Sequence, residues 1–79
     1  MNSPYYLIIL NPQIELKRDQ NGKTYFLIRD QTTGIAYFAF PSQVKGWYGL
    51  VTKYPKAKEV HLQFRNDPKK ITSLKILTR

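Results

Sequence analysis

Hydrophobic and polar residues alternate most clearly near the C-terminal end of the chain. Val60, Leu62 and Phe64 take one side, and Glu59, His61, Gln63 and Arg65 take the other. A period of two marks a strand with one face buried. The same pattern runs from Ile71 to Thr78, with Leu74 and Ile76 inward between Ser73, Lys75 and Leu77. At the other end of the chain, YYLIIL (residues 5–10) reads as a buried strand. Asn11-Pro12 interrupts it, because proline cannot donate a ladder hydrogen bond. Ile14 and Leu16 then alternate with Glu15 and Lys17, so the strand resumes to about Arg18. A long first strand bent in its middle would serve two sheets.

Two more strands lie in TYFLIRDQTTGIAYFAF, residues 24–40. The turn before them is DQNGK, where Asn21-Gly22 suits positive φ. The turn between them is Thr32-Thr33-Gly34, with Gly34 as the left-handed residue. After Phe40 the period changes. Val44, Trp47, Tyr48 and Val51 fall at i, i+3, i+4 and i+7, one face of a helix with Ser42 as N-cap. Gly46 and Gly49 would each cost that helix about 1 kcal/mol, and a short strand over residues 47–52 is the rival reading. On a helix, Trp47 and Tyr48 would plug the end of the core. The predicted order is therefore a mainly β chain: five strands, with one short helix between strands three and four. Its 79 residues make a single domain, residues 1–79. A small closed or partly open barrel would leave few sheet edges exposed.

This order resembles the OB-fold, a five-stranded Greek-key barrel. FLIRDQTTGIAYFAF looks like that superfamily's second and third strands, where an R-D-x-T-G-like turn is common; the turn here is one residue longer. The resemblance covers nearly the whole chain in topology and carries no diagnostic motif. It implies a ligand on the outer face of strands two and three, flanked by the loops joining strands one to two and four to five. Those loops are KRDQNGK and RNDPKK. They supply Lys17, Arg18 and Lys23 on one side, and Arg65, Lys69 and Lys70 on the other.

Charge sharpens this picture. The chain carries a net +8, unevenly distributed. Residues 1–44 hold four cations against three carboxylates, while residues 45–79 hold nine against two. An anionic partner is implied: nucleic acid, an acidic protein or a membrane surface. The longest apolar run is far too short to cross a bilayer, and of these partners nucleic acid or an acidic protein, not a membrane, is the one expected. A basic surface that only aids solubility is the plain alternative.

In the hairpin, one pairing puts Phe26 and Ile28 in the core with Phe38 and Phe40. Tyr25, Leu27 and Arg29 then share the outer face with Ile35, Tyr37 and Ala39. Two tyrosines beside an arginine make a platform on which unpaired bases stack. A one-residue slip would put Phe38 and Phe40 beside Tyr25 instead, and tyrosines can also cover a core edge with only the hydroxyl wet. His61, a lone histidine on an outward face, is a candidate phosphate or base contact.

Catalytic motifs are lacking. The chain has no cysteine, which removes disulfides and thiolate metal sites and fits a reducing, cytoplasmic setting. Asn21-Gly22-Lys23-Thr24 imitates the end of a phosphate-binding P-loop, but Lys17 stands where the motif needs glycine, and a strand follows. The five carboxylates are dispersed, and one histidine serves three serines, so neither a paired acid–base site nor a triad is expected. The sequence therefore points to a non-enzymatic protein without cofactor that binds single-stranded DNA or RNA. The expected contacts are Lys17, Arg18, Lys23, Tyr25, Arg29, Tyr37, His61, Arg65, Lys69 and Lys70. An adaptor or small subunit docking an acidic protein, with an SH3-like or OB-like barrel, is the alternative, and a homodimer pairing strand edges is another.

Overall fold

The computed structural model describes residues 5–67 and 70–78. Six strands form two three-stranded antiparallel sheets. The first is ordered β1-β5-β6, from Tyr5–Ile9 (β1), Ala57–Phe64 (β5) and Ile71–Thr78 (β6). The second is ordered β2-β3-β4, from Pro12–Arg18 (β2), Thr24–Asp30 (β3) and Ala36–Ala39 (β4). A seven-residue helix, α1 (Trp47–Lys53), and a 3-10 turn (Tyr54–Lys56) join β4 to β5.

The expected long first strand is thus two strands, so there are six strands instead of five, and they form two sheets that do not close into a barrel. The cause is local. The chain bends at Leu10-Asn11, so Ile9 ends its ladder opposite Val60 and Pro12 opens a new one opposite Asp30. Proline is tolerated because β2 is an edge strand of its sheet. One run of chain therefore serves two sheets, and β4 packs beside β6 without a ladder between them.

The two inner faces enclose one core of Ile9, Phe26, Ile28, Tyr37, Val60, Leu62, Ile71, Leu74 and Ile76, with Ala39, Val44 and Leu50. Alternation along β5 holds for Val60 and Leu62, which are buried, while Phe64 is half-buried. The helix departs from its expected form. Gly46 precedes it in the left-handed region at φ 74, so the glycine expected to weaken the helix initiates it, and Ser42 caps nothing. With the start at Trp47, adjacent residues diverge by about 100° around the axis. Trp47 packs on Phe26, ring centroids 4.6 Å apart, and closes the end of the core with Tyr54. Tyr48 does not: it is 88% exposed. No helix among the described residues is long and apolar enough to cross a membrane.

Tyr37 is the polar member of the core. Burial first, and the Asp30 carboxylate second, raise its phenol above the usual value of 10.0. A proton held more tightly when folded stabilises the native state fully below pH 10, and that contribution is lost as pH rises through the folded value. Urea unfolding from pH 8 to 11 should show a steeper loss of stability above pH 10 in the native chain than in Tyr37→Phe. Parallel slopes would disprove the assignment.

Candidate functional site

The pairing of β3 with β4 decides what the outer face displays. Its partners are Phe26 with Ala39, Leu27 with Phe38, Ile28 with Tyr37 and Arg29 with Ala36. The turn enforces this. The Gly34 N–H donates to the Asp30 carbonyl at 2.7 Å, with Gly34 at φ 78. The Asp30 carboxylate accepts from the Thr32 N–H, and Arg29 Nη1 donates to the Gly34 carbonyl. Residues 30–35 then span the gap, and Arg29 meets Ala36. Tyr37 and Ala39 therefore point inward, 6% and 0% exposed, which overturns the pairing that put Tyr37 on a binding face.

Phe38 and Phe40, assigned above to the core, lie outside. Tyr25 packs against both, with centroids 6.0 Å from Phe38 and 5.6 Å from Phe40. All three rings are half-buried, and Leu27 beneath them is 8% exposed. An aromatic platform exists on this face, made of Tyr25, Phe38 and Phe40 instead of Tyr25 and Tyr37. Two hollows flank it and share Phe40. One, of about 310 Å³, is lined by Asp19, Tyr25, Phe38 and Phe40. The other, of about 420 Å³, is lined by Gly22, Lys23, Thr24, Phe40, Pro41 and Ser42.

The turn beside the hollows is a built structure. The Asp19 Oδ1 accepts the backbone N–H groups of Asn21 and Lys23, both at 2.9 Å. The Asp19 N–H donates to the Lys23 carbonyl at 2.9 Å, and the Gly22 N–H to the Asp19 carbonyl at 3.0 Å. Gly22 takes φ 81, a conformation glycine adopts without strain.

The cations divide between several places. Lys17 pairs with Tyr25 across β2 and β3 and shares its face. Lys23 lines the larger hollow. Arg29 is on the same face, four positions along β3 from Tyr25, or about 13 Å at the strand rise. Arg18 pairs with Thr24, so alternation sends it to the opposite side from Lys17. Arg65 and Lys70 flank the turn after Phe64, whose ring lies 5.6 Å from Tyr37. They therefore sit toward the Arg29 end, away from Phe40. Lys69 lies outside the described residues. His61 is on the outer face of the other sheet, where Nδ1 is 2.7 Å from the Tyr6 hydroxyl and Nε2 meets the Glu59 carboxylate. It is outward as expected and separate from the platform.

Residues 41–56 hold groups the pattern missed. Trp47 and Tyr54 pack on Phe26 near the start of β3, so Lys45, Lys53 and Lys56 stand at the same end as Lys23. The signal for them was the dense run of cations after residue 44. For Phe38 and Phe40 no signal existed apart from the register. Among the described residues no cluster of His, Asp and Glu could hold a metal ion. Neither a family model, a curated protein nor a solved structure matches the chain.

Proposed function

We propose that the protein is a non-enzymatic binder of single-stranded DNA or RNA. The observation that carries this reading is the Tyr25–Phe38–Phe40 platform, open on an outer sheet face beside Lys17 and Lys23. Bases stack on such rings with little regard to sequence, while nearby cations neutralise the phosphates. The OB-like reading of the fold goes with it. With β1 and β2 counted as halves of one run, the helix falls between the third and fourth strands, and the platform lies on strands two and three.

The test is a titration of labelled single-stranded oligonucleotide at several salt concentrations. With Lys17, Lys23, Arg29 and Lys45 making three or four phosphate contacts, log affinity should fall against log salt with a slope of about −2 to −3. Lys23→Ala should flatten the slope by about 0.7 and weaken all sequences alike. No saturable binding at low salt would defeat the proposal.

A second reading has its own observation. Tyr6 and Ile8 of β1 and the following Leu10 are exposed near Lys75 on the outer face of the other sheet. An apolar strip beside a cation fits an adaptor that docks an acidic protein. Under that reading, substitutions at Tyr6 and Ile8 abolish partner capture and those at Tyr25 do not.

A further inference from the structure

We infer that the hollow beside Tyr25, Phe38 and Phe40 is a subsite selective for guanine, read by the Asp19 carboxylate; this rests on the nucleic-acid reading above.

Asp19 is an odd residue to find at a phosphate-binding surface. It lines the hollow together with three aromatic rings. Its Oδ1 is committed to the backbone N–H groups of Asn21 and Lys23, which hold the carboxylate in place. No cation of the described residues forms an ion pair with it, although Lys17, Arg18 and Lys23 are its neighbours in sequence. A carboxylate offers about four acceptor sites. Two are used on Oδ1, and those on Oδ2 are left for a ligand.

The hollow, about 310 Å³, is a shallow depression open to solvent on the sheet face. It suits one planar ring system. A base stacked there would present its edge to a fixed acceptor. Among the common bases, guanine alone carries two adjacent donors on its pairing edge, N1–H and the N2 amino group. Adenine and cytosine place a ring acceptor beside their amino group, and thymine and uracil flank their single N–H with carbonyls. Each of these would set a lone pair against the carboxylate. The cations hold the backbone, the rings hold the base plane, and Asp19 sorts the edge.

The experiment compares a hexathymidylate with the same oligonucleotide carrying one central guanine, using fluorescence anisotropy at low salt. The guanine oligonucleotide should bind about tenfold tighter, within the discrimination a well-placed pair of hydrogen bonds supplies. N1-methylguanine should return affinity to the thymidine level, whereas 7-deazaguanine, altered on the opposite edge, should keep the gain. Asp19→Asn retains an oxygen for the two backbone N–H groups and replaces Oδ2 by a donor. It should erase the guanine preference, so that the guanine oligonucleotide and hexathymidylate bind alike. These probes alter the ligand as well as the protein, so a misfolded variant does not obscure the outcome. Equal affinity for both oligonucleotides would overturn the guanine subsite and leave the binding function standing. Absence of saturable binding to either would overturn both.

Discussion

Phe26→Ala is expected to lower the thermal unfolding midpoint more than any other single truncation in the core. Phe26 is fully buried, and its ring meets Trp47 at 4.6 Å and Tyr54 at 5.3 Å. It is the point where α1, the 3-10 turn and the β2-β3-β4 sheet converge. Truncating a buried aromatic costs about 3–5 kcal/mol, including the cavity left behind. Losing the ring pairs adds to that. A domain of this length has a total stability of about 4–12 kcal/mol, so the change removes much of it. The midpoint of thermal unfolding should fall by 12 °C or more, at roughly 4–8 °C per kcal/mol. Trp47 is the sole tryptophan, so its emission should shift red in the variant as the end of the core opens. Tyr48→Ala is the control: its side chain is exposed, and the effect should stay within about 0.5 kcal/mol. A Phe26→Ala midpoint within a few degrees of the unaltered protein would contradict the packing described.

What the sequence made legible depended on whether a segment buries one face or two. The alternation of Val60 and Leu62 with Glu59 and His61 identified β5 and its orientation, because only one side of that strand is apolar. Asn11-Pro12 marked the bend between β1 and β2, and Gly22 and Gly34 marked turns whose positive φ they supply. In the hairpin the same logic fails. Phe26, Leu27 and Ile28 are consecutive and all buried, so a period of two has nothing to select. The choice between Tyr37 and Phe38 then fell to the turn, through hydrogen bonds from Gly34 and Arg29 that no local pattern displays. Lys17, Lys23, Tyr25 and Arg29 were readable as face and loop residues from β2, β3 and their turn alone. The grouping of Asp19 with Phe38 and Phe40 was not, because it is made by register. The position of Lys45 was not, because it is made by the packing of Trp47 on Phe26.

That register yields the second large effect, a dissociation between two tyrosines twelve positions apart. Tyr25→Ala removes a ring from the platform, and should weaken oligonucleotide binding by about 1–3 kcal/mol, or 5- to 150-fold, with the fold retained. Tyr37→Ala should do the reverse. Its ring lies in the core opposite Ile28 and against Phe64, so truncation should cost about 3–5 kcal/mol of stability. The fraction that stays folded should bind with affinity close to that of the unaltered chain. Tyr37→Phe supplies the cleaner comparison, since it keeps the ring and removes only the hydroxyl. Its affinity should match the native protein within a factor of two. Urea unfolding and anisotropy titrations on all three variants, with affinities corrected for folded fraction, separate the two roles. If Tyr37→Phe lost binding while Tyr25→Ala retained it, the outer face would have to be the one with Tyr37 on it, and the platform of Tyr25, Phe38 and Phe40 would be wrong.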